Sequence, residues 1–505
     1  MTDSQAFQYV CQNAQQAALL HSSADMLEWD ERTGMPASAG DYRADQVSYL
    51  RGLAHQKRTE PKYRDYLEEL FQNIDSKHQP DRTSITVSQL YRDLQRDIKL
   101  TTTIVERSAR LTIKGQQTWD SARRNNCFEQ FEPILADIVS LKREVGDRLR
   151  EDTNRTRYEA LIDEYEPDAT VEQIDELFSQ LRHPLVDLIK RIQASEKRPK
   201  RELFQQALSV PTQRQLSRDV AAAIGFDFDR GRLDETSHPF CTTLGPHDCR
   251  ILTRYDPQDL ATGLFGTMHE AGHGMYEQGL DPAEFGLPYG SYCSLGIHES
   301  QSRMWENQVG RSQSFWEWIT PILKDSFPDK YSQTTAEELY FAANDVYPSL
   351  IRVEADEATY NLHIIIRYDI EKKLIEGNLN VNDVQDEWNA RYHSDLGVKV
   401  DSERNGVLQD VHWSAGLFGY FPTYTIGNLI AAQLFHSAQN AISNLDNQIS
   451  NGSFNELLLW TREAIHKHGR SLNSDQMVQR STGMSLSPTH LMQYLGEKLE
   501  ALYDL

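Results

Sequence analysis

Cysteine is scarce in this chain. Five residues in 505 (Cys11, Cys127, Cys241, Cys249 and Cys293) form an odd set with no CxxC spacing. That pattern argues against a disulfide scaffold or a cysteine-ligated zinc and for a reducing compartment. Positive charge is in deficit: 52 lysines and arginines stand against 75 acidic residues, for a formal net charge of -23. Such a surface repels phosphate backbones and anionic lipid, so neither nucleic acid nor membrane is an expected partner. No apolar run reaches the roughly 18 residues of a spanning helix. The start, MTDSQAFQYVCQNAQQAALL, lacks a basic segment followed by a long apolar one. The expectation is a soluble cytoplasmic protein. Runs suited to β-strands are few as well; CRILTRY, from Cys249 to Tyr255, is the best of them.

What the chain has in abundance is helical periodicity. Thr170 stands three before Gln173, a capping box, and Ile174, Leu177 and Leu181 then share one face. Beyond Pro184, the set Leu185, Leu188, Ile189 and Ile192 repeats the pattern. Asn382 ahead of Val384 and Trp388, and Thr334 three before Glu337, mark two further helix starts. Two charged, proline-bearing stretches, SKHQPDRTS from Ser76 and SEKRPKREL from Ser195, read as exposed connections. The length allows several ordinary domains or one large helical enzyme. With no internal repeat, a single mainly α peptidase-sized unit over 1–505 fits better, subdivided near the second connection into 1–198 and 199–505.

One stretch carries chemistry. TMHEAGHGMYEQG, from Thr267 to Gly279, sets His269 and His273 four apart with Glu270 beside the first. Residues four apart lie one turn apart on the same helix face, so both rings can reach one ion, and Glu270 projects nearby as a general base. A surface helix with incidental histidines is the bland alternative. Against it stand the apolar Leu264, Phe265 and Met268 ahead of the motif, and two glycines, Gly272 and Gly274, inside it. Glycine in a helix interior costs roughly 1 kcal/mol against alanine and usually has a packing or functional reason.

A catalytic zinc needs a third protein ligand and an open position. Glu299, in GIHESQSRMW downstream, is the expected one; its rival His298 would face away on a helix that turns Glu299 inward. Two neutral histidines and one carboxylate leave Zn²⁺ able to bring water toward a pKa of about 7. Co²⁺ and Mn²⁺ also suit such donors. His466 and His468, two apart in AIHKHGR, diverge by about 200° on a helix and read as a solvated helix end.

With HEAGH and HESQS both present, the sequence resembles the carboxypeptidase Taq family of metallocarboxypeptidases. The likeness runs through LEWDERTGMP near the N-terminus, GRLDETSHPF and DCRILT before the site, IRVEAD from Ile351, GVLQDVHW from Gly406 and FGYFPTY from Phe418. The resemblance implies His269, His273 and Glu299 as metal ligands and Glu270 as base and proton shuttle. It also implies a mainly helical fold with few strands and a deep groove between two helical halves, similar to angiotensin-converting enzyme and neurolysin, and a homodimer.

Releasing single residues from the C-terminus of short peptides also requires an oxyanion donor and a carboxylate receptor. His412 and Tyr424, twelve apart, match the spacing of the paired stabilisers in neurolysin-like enzymes, with Tyr420 as the rival tyrosine. Arg352 is the first choice for the substrate carboxylate, since an arginine fork matches two oxygens, and Arg250 is the next. Arg250 is equally readable as a structural partner of Asp248. His238 is a candidate contact to the substrate backbone, or half of a rigid His-Pro turn. An oligoendopeptidase or dipeptidyl carboxypeptidase with the same chemistry is the alternative, and a non-catalytic peptide-binding protein stands behind it.

Overall fold

The computed structural model describes residues 3–74, 80–151 and 153–505. It is mainly helical, with three short strands among the described residues. Two compact units emerge, each assembled from three stretches of chain. One comprises Met1–Ile98, Lys200–Ala343 and Leu434–Ser485; the other comprises Lys99–Pro199, Asn344–Gln433 and Leu486–Leu505. No described helix is long and apolar enough to cross a membrane.

In the first unit the Asp3–Thr33 helix pairs with the Gly40–Thr59 helix. Val10, Tyr63, Leu67, Leu90 and Leu94 form an apolar cluster beneath it. The three strands, β1 (Gly231–Glu235), β2 (Phe240–Gly245) and β3 (Asp248–Thr253), make one sheet in the order β1-β3-β2. β1 runs parallel to β3 and β2 antiparallel. The central strand is the run that the sequence marked as most strand-like. Its Ile251 and Leu252 are fully buried, as an apolar strand flanked on both edges should be. Pairing β2 with β3 also brings Cys241 Sγ to 3.7 Å from Cys249 Sγ, although all five cysteines are free thiols.

In the second unit the Val171–Ala194 helix starts at the expected capping box: Thr170 Oγ1 accepts from Gln173 N at 3.2 Å while Gln173 Oε1 accepts from Thr170 N at 3.1 Å. It runs on through Pro184, with Leu181, Leu185 and Leu188 buried on one side. The Thr359–Glu376 helix is buried on nearly every face, the pattern of a helix at the centre of a large core.

Local starts differ by a residue from expectation in two places. The Ala336–Ala343 helix is capped by Thr335, which accepts from Glu338 N at 3.2 Å while Glu338 Oε2 accepts from Thr335 N at 3.0 Å. Thr334, one residue earlier, is buried instead. The Val384–Arg391 helix follows a single 3₁₀ turn, Val381–Asp383, so that Asp383 rather than Asn382 adjoins it. Of the two connections, SEKRPKREL leaves the Val171–Ala194 helix, ends in a short 3₁₀ turn (Arg201–Leu203) and is mostly exposed. SKHQPDRTS lies partly outside the described residues.

Candidate metal centre

Both histidines of the motif sit on the Leu260–Gly279 helix, which Asp259 caps by accepting from Ala261 N at 3.0 Å and Thr262 N at 3.3 Å. Met268, Ala271 and Met275 are fully buried, which fixes the rotation of the helix about its axis. The glycines that weaken it have steric reasons. A Cβ at Gly272 would lie 2.6 Å from Ser302 Cα and 2.7 Å from the Gln301 carbonyl oxygen, so the Leu295–Arg303 helix can approach only because no side chain intervenes. At Gly274 the neighbours would be the Phe226 ring at 2.6 Å and Ile251 of β3 at 3.0 Å.

That close approach brings Glu299 to the histidines. Glu299 Oε2 lies 3.4 Å from His273 Nε2 and 3.7 Å from His269 Nε2. Among the described residues, His269, His273 and Glu299 form a group whose ligand atoms fall within 4.8 Å of one another. The outer ring nitrogens are both engaged. His269 Nδ1 hydrogen-bonds Glu306 Oε2 at 2.8 Å, and His273 Nδ1 donates to the His298 carbonyl at 3.1 Å. Both Nε2 atoms are therefore the ones left for a cation. His298 itself turns away and pairs through Nε2 with Glu277 at 2.9 Å, as its neighbouring position on the helix requires.

The electrostatics suit a cation. Burial disfavours a charged His269, but the carboxylates of Glu299 and Glu306 outweigh it, and its pKa lies above the ordinary value. A positive charge is thus favoured where that ring sits. Burial and the neighbouring His298 lower His273 to about 3, so it is a neutral donor. Burial opposes the Glu299 carboxylate, yet Arg303 and His269 hold it well below the usual range. Glu270 is the exception among these acids: burial pushes it up to about 7. Its Oε2 is buried without a hydrogen-bond partner in the protein, which is unusual for a polar atom that nothing is meant to meet. A base with a pKa near the working pH is the form general-base chemistry favours.

Arg303 and Glu306 were not singled out from the sequence. Arg303 Nε donates to Glu299 Oε1 at 2.6 Å and its terminal nitrogen to Glu306 Oε2 at 3.3 Å. Glu299, Arg303 and Glu306 occupy positions i, i+4 and i+7, a single helix face, so the spacing in HESQSRMWEN was a usable signal.

The second unit holds another group of the expected residues. His412 Nε2 lies 3.2 Å from the Tyr424 hydroxyl. Tyr420 packs its ring on Tyr424 at 5.4 Å between centroids. Arg352 is buried; its Nε and a terminal nitrogen reach Asp410 Oδ1 at 2.9 and 2.8 Å, and its other terminal nitrogen donates to Tyr360 at 3.1 Å. Asp410 also takes Arg367 at 2.6 Å. Burial, then Arg352, lower His412 to about 3, so its ring is neutral. Glu371, unnoticed in the sequence, accepts from Trp413 Nε1 and the Gly419 amide at 2.9 Å each and from Tyr158 at 2.7 Å, tying the segment between His412 and Tyr424 to the Thr359–Glu376 helix.

Other candidates are placed less suggestively. Arg250 forms a double contact with Asp248, at 2.9 and 2.8 Å, and stacks over the Trp29 ring at 4.2 Å, the geometry of a structural pair. His238 is exposed in the turn between β1 and β2. His466, expected at a solvated helix end, is instead 1% exposed and hydrogen-bonded to Gln301 at 3.0 Å; the helix before it ends at Ala464 and a 3₁₀ turn folds the ring inward.

A family model described as carboxypeptidase Taq (M32) metallopeptidase matches residues 10–499. Thermostable carboxypeptidase 1 of Thermus thermophilus is 37% identical over 510 residues, covering 100% of both chains. Carboxypeptidase 1 of Bacillus subtilis is 34% identical over 95% of each. A crystal structure described as M32 carboxypeptidase from Deinococcus radiodurans R1 superposes with a TM-score of 0.95 at 35% identity, covering 99% of this chain and 100% of the other.

Proposed function

The chain belongs to the carboxypeptidase Taq (M32) metallopeptidase family, and on that premise we propose how its residues carry the reaction. It is a metallocarboxypeptidase, a hydrolase acting on peptides through a divalent metal. The relatives are named as carboxypeptidases, which leaves the oligoendopeptidase alternative without support.

His269, His273 and Glu299 are the proposed ligands, and Zn²⁺ the proposed ion. The donor set fits: two imidazole nitrogens and one carboxylate oxygen facing one another, one ring neutral and the acid ionised. When bound, such an ion polarises the scissile carbonyl and acidifies water. Glu270 takes a proton from the attacking water at its unpaired, buried Oε2 and returns it to the leaving amine. His412 and Tyr424 are the proposed hydrogen-bond donors to the tetrahedral oxyanion, a type of contact worth about 2.7–4 kcal/mol; the 3.2 Å between His412 Nε2 and the Tyr424 hydroxyl puts the two side by side, and the proton they share must turn to the oxyanion for both to donate. Arg352 is the proposed receptor for the substrate carboxylate, with Asp410 orienting its guanidinium. Arg250 and His238 are assigned outside the chemistry: the first braces Trp29, the second lies in an exposed turn. Cytoplasmic location and a homodimer belong to the same proposal; cell fractionation and light scattering test them.

The observation that carries this reading is the convergence of both Nε2 atoms on Glu299 Oε2 beside an unpaired, buried Glu270. The test is a mass-spectrometric product ladder from free and C-terminally amidated short peptides, before and after chelation and Zn²⁺ add-back. Loss of one residue at a time from free termini only, abolished by chelator and restored by Zn²⁺, is expected. Activity indifferent to chelator, or cleavage of amidated peptides at the same rate, contradicts it.

A further inference from the structure

We propose that Arg303 and Glu306 are the positioning residues of the metal centre: Arg303 holds Glu299 to one available oxygen, and Glu306 fixes the ring of His269. The inference rests on the ligand assignment proposed above and goes beyond it.

The two oxygens of Glu299 have different surroundings. Oε1 accepts from Arg303 Nε at 2.6 Å. Oε2 faces both histidines, at 3.4 and 3.7 Å, with the Ser302 hydroxyl at 3.1 Å. A carboxylate free on both sides can grip a cation with two oxygens. Arg303 competes with a cation for Oε1, and Oε2 is the oxygen turned to both histidines; one carboxylate oxygen with two Nε2 atoms would give a cation three protein ligands and leave a position open, as catalytic zinc sites require.

The same guanidinium reaches Glu306 Oε2 at 3.3 Å, and Arg311 approaches Glu306 Oε1 at 3.5 Å. Glu306 is thereby held against His269 Nδ1 at 2.8 Å. An ionised carboxylate can only accept, so the proton sits on Nδ1 and the Nε2 lone pair faces inward. The two histidines are thus oriented by unlike acceptors: His269 by a charged carboxylate, His273 by the neutral His298 carbonyl. Local backbone serves the arrangement. Glu306 lies in a π-helical turn, Met304–Val309, that continues the Leu295–Arg303 helix; such turns are rare and concentrate at functional sites. Side-chain exposure is 14% for Arg303, 12% for Glu306 and 8% for Glu299, so water competes little for these contacts.

The experiment uses the full chain, stripped of metal and titrated with Zn²⁺ or Co²⁺ against a chromophoric chelator. The Co²⁺ absorption spectrum and thermal unfolding of the stripped protein are recorded alongside. Glu306→Gln keeps the shape but not the charge; Arg303→Lys keeps the charge but cannot serve both carboxylates. Each variant is expected to weaken metal binding by about 10- to 100-fold. Arg303→Lys should also shift the Co²⁺ bands toward the weaker absorption of a higher coordination number. Parent affinity and parent spectrum in folded Glu306→Gln and Arg303→Lys overturn the inference, and so does an effect confined to unfolding of the stripped protein. If Arg303→Lys fails to fold, parent affinity in Glu306→Gln alone overturns it. His273→Ala separates the levels: metal lost there but kept in the other two refutes the frame alone, whereas parent affinity in His273→Ala refutes the ligand assignment itself.

Discussion

Gly272 ties sequence to metal geometry, and replacing it by alanine tests the connection. The added methyl would stand 2.6 Å from Ser302 Cα and 2.7 Å from the Gln301 carbonyl oxygen, backbone atoms that cannot swing aside. Ordinary contact begins near 3.4 Å, so the Leu295–Arg303 helix must retreat by about 0.8 Å. Overpacking of this kind costs about 1–3 kcal/mol, while alanine in a helix interior returns about 0.5–1 kcal/mol. The net expectation is a loss of between about 0 and 2.5 kcal/mol. The larger effect falls on the metal. Glu299 rides on the displaced helix, and ligand distances tolerate only about 0.2 Å, so metal affinity should fall by about 10-fold or more. Urea unfolding of the stripped protein and chelator competition measure the two effects. Gly496→Ala is the control: a Cβ there has nothing within 4 Å, and about 0.5–1 kcal/mol of stabilisation is expected. If Gly272→Ala is as stable as the control and binds metal like the parent, the packing explanation of the motif's glycine is wrong.

Two further outcomes follow from buried charge in the two units. Asp410→Asn leaves the guanidiniums of Arg352 and Arg367, 7% and 0% exposed, without their shared carboxylate; a loss of about 3–5 kcal/mol in urea unfolding is expected, and a loss below 1 kcal/mol contradicts it. Burial, reinforced by Arg462, lowers His466 to about 3, so its neutral form is preferred in the folded chain. The stability it contributes is complete above the unfolded pKa near 6.5 and is lost as pH falls from there toward 3. His466→Gln should flatten the acid-side slope of unfolding free energy by up to about 1.4 kcal/mol per pH unit; equal slopes from pH 7 to 5 rule the neutral ring out.

What the sequence disclosed is what local periodicity controls. Four-residue spacing alone sets His269 and His273 on one face, and Thr170 with Gln173 caps its helix as read. The Thr334 cap slipped to Thr335 because two threonines in succession offer nearly equal local energies, and burial chose between them. Partners distant in sequence were less accessible. Asp410 meets Arg352 and Arg367 from 58 and 43 residues away, and no periodicity links them. Cys241 and Cys249 adjoin only through strand register. His466 looked solvated because its helix was read as continuing, whereas the chain turns at Ile465. Arg303 and Glu306 are the instructive omission: their spacing from Glu299 was legible, yet a charged helix face usually points to water, and only the approach of the Leu260–Gly279 helix at Gly272 turns this one inward.

The central claim is that Glu270 performs the proton transfer while His269, His273 and Glu299 hold the metal. Glu270→Gln tests it most directly, with metal content, Zn²⁺ affinity and single-residue release from a free-terminus peptide measured on the same preparation. Metal content and affinity equal to the parent, with release slowed by about 10²–10⁴-fold, is the expected result. A variant that keeps its metal and releases C-terminal residues at the parent rate contradicts it.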